Sequence, residues 1–187
     1  MNKDIIKALE ILNAGGIILY PTDTIWGIGC DATNKEAVAK IYELKKRADS
    51  KSMLVLMDNI NSLDRYMEEV PEMAYDLVEL SEKPITIIYP GAKNIASNLI
   101  AEDGTLGIRV TSEKFSAELI RRFRKPIVST SANISGEPSP QNFSEISEEI
   151  KNGVDFIVEY RQEETNNPAP SSIIKLGVGG EIQILRK

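Results

Sequence analysis

Apolar residues at Ile5, Ile6, Leu9 and Leu12 recur at the spacing of a helix with one side on a core. Asp4 reads as its N-cap and the Gly15-Gly16 pair as its stop. GIILYPT is then continuously apolar, the mark of a buried strand, and ends at Pro21. Thr33 and Glu36 form a T-x-x-E capping box for a second helix, whose apolar side is Val38, Ile41, Tyr42 and Leu44 and whose end is LKKR. MLVLM predicts a short buried strand. DNINSLDRYM and PEMAYDLVEL predict helices, with Pro71 at an allowed first-turn position. ITIIY, TLGIRV, PIVST, VDFIVEY, SSIIKL and EIQIL read as strands. SEKFSAELIRRF, with Phe115, Leu119, Ile120 and Phe123 on one side, reads as a helix between two of them. Strands and helices alternate throughout, which predicts an α/β fold with a mixed, largely buried sheet flanked by helices. No repeat, linker or low-complexity segment interrupts the pattern. RQEETNNPAP, polar with two prolines, reads as the mobile loop.

A chain of 187 residues can bury a core of its own, and residues 1–187 read as one domain. The net charge of -6 argues against coating a nucleic acid by bulk electrostatics, although a local basic patch can still touch a polyanion. The sequence contains no histidine, which removes imidazole-based nucleophile activation and every His-containing metal site. With Cys30 as the single cysteine, an intramolecular disulfide and a thiolate zinc site are excluded too, and a reducing, cytoplasmic setting is expected. No apolar run approaches the length of a membrane span, and MNKDIIKALE lacks a signal-peptide pattern. Chemistry must then rest on Lys, Arg, carboxylates, hydroxyls, backbone groups and an ion that a substrate brings.

Four stretches carry such groups. YPTDTIWGIGCDA leaves a strand at Pro21, offers Thr22, Asp23 and Thr24, and turns through Gly27 and Gly29; its G-x-G lacks the third glycine of a dinucleotide fingerprint. LKKRADSKSM puts Lys45, Lys46, Arg47 and Lys51 within seven residues of an acidic chain. That cluster suits a triphosphate, and equally suits the dipole at a helix C-terminus. Arg109 stands inside the apolar TLGIRV, so either a structural ion pair or an anionic ligand must face it, and a substrate carboxylate is what a guanidinium clamps well. KPIVSTSANISGEPSP begins as a buried strand, then sets Ser129, Thr130, Ser131 and Asn133 at its mouth before breaking at Gly136, Pro138 and Pro140. Hydroxyls and an amide there can hold phosphate oxygens, or satisfy their own turn. There is no Walker loop, GVGG lacks a following Lys-Ser/Thr, and RRFRK reads as a solvated helix end.

Taken in order, YPTDTIWGIGCDA, the K-x-R of Lys45 and Arg47 with Lys51 after it, KPITIIYPG, TLGIRV, STSANISGEPSP, PSSIIKL and the terminal ILRK resemble the YrdC/Sua5 family of threonylcarbamoyl-AMP synthases. The resemblance implies a twisted sheet with a concave, electropositive cavity. It implies a reaction joining L-threonine, bicarbonate or carbon dioxide, and ATP into threonylcarbamoyl-AMP and pyrophosphate, with Mg2+ accompanying the ATP and no structural metal. A separate threonylcarbamoyl transferase complex would then modify the adenosine beside the anticodon of tRNA. Carried over by position, Thr22, Arg109, Ser129 and Ser171 would bind threonine, with Arg109 on its carboxylate. Lys45, Arg47, Lys51, Thr105, Ser131, Asn133, Ser139 and Arg186 would bind ATP. Lys45, Arg47, Ser131 and Asn133 would be the catalytic set. Trp26 replaces a usual tyrosine, Ala48 a proline, Ser52-Met53 a Pro-Leu, and Lys175 an aspartate. The C-terminal domain of the longer Sua5 type is expected to be absent. The competing expectations are an RNA-binding or ribosome-maturation module of the same fold, a carbamoyl-transfer domain of the hydrogenase-maturation type, and a diverged non-catalytic relative.

Overall fold

The computed structural model describes residues 1–47, 53–165 and 169–187. Helix α1 (Asn2–Asn13) buries Ile5, Ala8 and Leu12, and leaves Ile6 exposed. Asp4 is not its cap. The helix starts two residues before it, and the buried Asp4 carboxylate accepts the Tyr160 backbone N–H at 3.2 Å. Helix α2 (Lys35–Leu44) is capped one residue later than the T-x-x-E pattern predicts. Asn34 Oδ1 accepts the Ala37 N–H at 3.0 Å, because the Thr33 hydroxyl is already committed to Asp31 Oδ1 at 2.6 Å.

Strands β1 (Ile18–Tyr20), β2 (Gly27–Gly29), β3 (Leu54–Met57), β4 (Ile85–Tyr89), β5 (Leu106–Val110), β6 (Ile127–Ser131), β7 (Phe156–Ile157), β8 (Ser172–Leu176) and β9 (Ile182–Arg186) form one sheet among the described residues, in the order β7-β1-β2-β6-β3-β5-β4-β8-β9. The pairs β1–β7, β3–β5 and β4–β8 are parallel and the others antiparallel, so the expected mixed sheet is present. It is buried over β1 to β6 but not at its end, where every residue of β9 is exposed.

Local propensity was overridden in several places. Gly27 and Gly29 belong to β2, not to a turn. A Cβ on Gly29 would stand 2.6 Å from both the Tyr20 ring and the Val128 carbonyl oxygen, so only glycine lets β1 and β6 close on this strand. DNINSLDRYM forms a 3-10 helix over Ile60–Arg65, and VDFIVEY keeps only β7 as strand. Helix α3 (Met73–Leu80) begins after Pro71 and the N-cap Glu72. Helix α4 (Lys114–Phe123) buries its predicted face and packs on α1, with Glu113 accepting the Ser116 N–H at 2.8 Å as its cap. The short helix α5 (Glu148–Asn152) was not predicted.

The registers Ile88↔Gly107, Leu54↔Ser129 and Gly27↔Ser131 align neighbouring strands level by level. Side chains alternate across a strand, so Thr86, Ile88, Gly107, Arg109, Ser129 and Ser131 share one face, while Ile87, Ile108 and Val128 pack into the core on the other.

Candidate active site

That polar face floors a cavity of about 500 Å3. Thr22, Arg47, Thr105, Arg109, Ser129, Ser131, Ser139, Ser171 and Arg186 all line it, as expected from their positions in the sequence. Arg47, Arg109 and Arg186 are its charged lining groups, and no carboxylate is among the described lining residues. No group of three or more Asp, Glu or Cys side chains among the described residues is placed to hold a metal ion.

At one end, the turn between β1 and β2 folds on itself. Thr22 Oγ1 donates to Ile25 O at 2.7 Å and accepts the Thr24 N–H at 3.1 Å. Gly27 lets Thr22 and Ser129 come together, since a Cβ there would meet the Thr22 methyl at 3.2 Å and Ser129 Oγ at 3.3 Å. Arg109, only 3% exposed, reaches this corner from β5. Its Nη2 lies 2.9 Å from Asp23 Oδ1 and donates to Thr24 Oγ1 at 3.3 Å. The two readings of a buried arginine therefore both apply. Asp23 balances its charge, yet among the described residues Arg109 Nε has no hydrogen-bond acceptor and Asp23 Oδ1 no aligned donor. Burial pushes the Asp23 carboxyl above its ordinary value, against the pull of the Arg109 guanidinium. A planar cation with an unused N–H in such a corner suits a ligand carboxylate.

At the opposite end, the β8–β9 hairpin supplies Ser171 and Arg186. Ser171 Oγ is 2.9 Å from the Thr86 hydroxyl, and Arg186 Nε donates to Ser171 O at 2.8 Å. Thr105 donates to Asp103 Oδ1 at 2.6 Å, and the other Asp103 oxygen accepts from Lys175 at 2.7 Å. The unusual Lys175 thus fixes the carboxylate that in turn fixes Thr105. The same Lys175 bond, then Thr105, lowers the Asp103 carboxyl to about 2.

Lys45 and Asn133 are not lining residues. Lys45 is 1% exposed, and its Nζ donates to the backbone carbonyls of Ser131 and Asn133, while Ser135 N–H donates to Lys45 O at 2.8 Å. K-x-R and S-x-N are thus one interlocked unit, with Lys45 inside it and Arg47 and Ser131 facing the cavity. Burial, and secondarily the Arg47 charge, pulls the Lys45 ammonium from 10.5 down to about 8. The Asn133 amide donates to Ile134 O and Glu137 O, and its buried Oδ1 has no donor among the described residues. Lys51 lies outside the described residues, as do Asn166, Asn167 and Pro168 of the expected mobile loop. The loop's first residue is fastened: Arg161 pairs with Glu113 at 3.2 Å and donates to Thr22 O at 3.1 Å.

Thr86 and Gln141 line the cavity without having been predicted, and Thr130, one of the hydroxyls singled out at the mouth of its strand, lines it too. Thr86 left a faint signal, a lone hydroxyl at an alternate position of the apolar ITIIY. Trp26 walls the cavity while packing on Phe143, with ring centroids 4.9 Å apart.

A family model, Sua5_yciO_yrdC, described as telomere recombination, matches residues 10–187. Threonylcarbamoyl-AMP synthases of Pseudoalteromonas translucida and Coxiella burnetii are each 30% identical to the chain over 181 residues, covering 95% of both chains in the first case and 96% of both in the second. Among solved structures, P. abyssi Sua5 complexed with L-threonine superposes with a TM-score of 0.84 at 26% identity, over 92% of this chain and 50% of that one. The chain therefore spans about half the length of that protein. E. coli YciO shares the fold with a TM-score of 0.84 at 24% identity, over 100% of this chain and 90% of the other.

Proposed function

The chain belongs to the Sua5/YciO/YrdC family, and from that premise we propose that it is an L-threonylcarbamoyl-AMP synthase, which joins L-threonine, carbon dioxide from bicarbonate, and ATP and releases pyrophosphate. The observation that carries this reading is the corner of Thr22, Ser129 and Arg109, where a buried guanidinium with an unused N–H shares a polar cavity with Arg47 and Arg186. The named relatives are synthases, which favours the enzyme over an RNA-binding module.

In this reading the Arg109 fork holds the threonine carboxylate, and Thr22 and Ser129 orient the amino acid. The deprotonated threonine amine attacks carbon dioxide to give a carbamate. A carbamate oxygen then attacks the α-phosphorus of ATP in line, and pyrophosphate leaves. No covalent enzyme intermediate is needed, which suits a chain without histidine. Arg47, Lys51, Thr105, Ser131, Ser139 and Arg186 take the nucleotide and its phosphates, making the cavity electropositive, and Mg2+ enters with ATP as part of the substrate. Lys45 acts one step back, by holding the Ser131 and Asn133 carbonyls so that Ser131 stands where the phosphate must lie, and the Asn133 amide fixes the turn that follows through Ile134 O and Glu137 O. Catalysis is then positioning and charge neutralisation, and positioning alone is worth about 7–11 kcal/mol in favourable cases. The product passes to a separate threonylcarbamoyl transferase that modifies tRNA beside the anticodon. The setting is cytoplasmic, and no helix among the described residues is long and apolar enough to cross a membrane.

Pyrophosphate release from ATP and bicarbonate, measured with L-threonine, with L-serine and with neither, tests this reading. Release that depends on threonine is expected. A folded, ATP-binding protein that releases none under all three conditions would be a diverged relative.

A further inference from the structure

The parallel pairing of β7 with β1, in the register Ile18↔Phe156 and Leu19↔Ile157, brings the chain that leaves β7 alongside the chain that leaves β1. Val158 N–H extends that ladder onto Leu19 O at 2.9 Å. Tyr160 is then held twice, by its N–H on the Asp4 carboxylate and by its ring, whose centroid lies 6.2 Å from that of Phe115. Arg161 follows at a φ of +71°. That left-handed conformation favours glycine, and an arginine stays in it only where its surroundings hold it. They hold it by the guanidinium. Its Nε donates to Glu164 Oε2 at 2.7 Å, and its Nη1 lies 3.2 Å from Glu113 Oε1 and donates to Thr22 O at 3.1 Å.

Arg109 lines the cavity and Arg161 does not, yet both grip the turn over residues 22–24. Arg109 takes it by Asp23 and Thr24, Arg161 by the Thr22 carbonyl. The grips are joined inside the turn, where Thr22 Oγ1 lies 3.2 Å from the Thr24 hydroxyl that accepts from Arg109. They are joined by charge as well. Burial first, and then the Glu113 charge, raise the Asp23 carboxyl. The Glu113 side chain is 9% exposed, and Arg161 is the cation beside it. Without Arg161, Glu113 would act on Asp23 unbalanced while the Thr22 carbonyl lost its donor. We propose that Arg161 is a positioning residue of the threonine site, holding this turn from outside the cavity in the shape that sets Thr22 beside Ser129 and leaves the Arg109 Nε–H to the ligand carboxylate. That the ligand is threonine rests on the synthase reading; that the turn depends on Arg161 rests on these bonds alone.

Pyrophosphate release by wild type, Arg161→Met and Arg161→Lys, titrated with threonine and with ATP, reads the effect on the site. Arg161→Met should raise the threonine KM roughly tenfold and leave the ATP KM within about twofold. Arg161→Lys keeps a cation beside Glu113 but lacks the fork that reaches several acceptors, so it should recover part of the loss. Loss of folded protein alone would lower the apparent kcat and move neither KM. Acrylamide quenching of Trp26, the single tryptophan, reads the turn in the ligand-free protein without any reaction. Trp26 is 5% exposed and shares a small recess beside the turn with Arg161, and its quenching should rise in Arg161→Met. Both replacements keep a long side chain, so a rise reports the turn and not a lost cover. A threonine KM that stays in place overturns the proposal, as do an ATP KM that rises equally and unchanged quenching. If wild type shows no threonine-dependent release, the synthase reading fails by itself, and quenching decides whether Arg161 holds the turn. If Arg161→Met does not fold, the same comparisons on Arg161→Lys decide.

Discussion

Lys45 shows how far a residue's part can differ from its chemistry as read in isolation. A lysine in a basic run beside an arginine looks like a phosphate contact, but folding places its ammonium against two backbone carbonyls and away from the cavity lining. Because burial lowers its folded value to about 8, the unfolded chain binds more protons than the folded one from there up to about 10.5. The cost of burying this charge is therefore fully present below about pH 8 and is relieved as pH rises through that window. Urea unfolding of wild type and Lys45→Met across the window should show the difference in stability moving in favour of wild type as pH rises; a flat difference would rule the argument out. Arg109 makes the complementary case, a residue that lines the cavity as its chemistry suggested and has an internal partner besides. Arg109→Ala should raise the threonine KM roughly tenfold to a hundredfold and leave the ATP KM within about twofold. An unchanged threonine KM would remove the carboxylate assignment. The same variant leaves Asp23 buried without its cation, so it should also melt lower than wild type.

At the scale of elements, β2 is the instructive strand. Its Gly-Ile-Gly sequence has poor strand propensity, yet it joins β1 to β6 and thereby sets Thr22 beside Ser129. Gly29→Ala would drive a methyl into the Tyr20 ring and the Val128 carbonyl, and at least one of these is backbone that cannot swing aside. The expected loss is about 1–3 kcal/mol of unfolding free energy. Thermal and urea denaturation measure it, and a neutral result would mean that β1 and β6 are not held as closely as described. Helix α2 carries a gentler lesson. The Thr33–Glu36 pattern and the actual Asn34 cap differ by one residue, because Asp31 competes for the Thr33 hydroxyl. Asn34→Ala should cost about 1 kcal/mol.

For the whole molecule, the cavity is a seam between distant parts of the sheet. Thr22 and Gly27 come from the β1–β2 end, Arg109 from the middle, and Ser171 and Arg186 from the β8–β9 end. A ligand that spans the seam ties these parts together, so binding should report as global stability. ATP and threonine at about a hundred times their dissociation constants should each add about 2.7 kcal/mol, and together raise Tm by roughly 10–20 °C. Arg47→Ala should abolish most of the ATP part of that shift, read against the variant's own unliganded Tm. An undiminished shift would place the phosphates elsewhere.

The alternation of apolar runs with amphipathic helices determined the α/β class, and the faces of α1 and α4 followed from spacing alone, because burial of an apolar stripe is a local demand. The hydroxyls and arginines of the cavity were also legible, since such groups in otherwise apolar strands need a purpose. What only the tertiary structure decided was which of them meet. Strand order and register set Arg109 beside Asp23, made a strand of two glycines, drew Lys45 inside and left Thr86 facing the cavity. These outcomes depend on distances between residues far apart in the chain, and no local pattern encodes such distances.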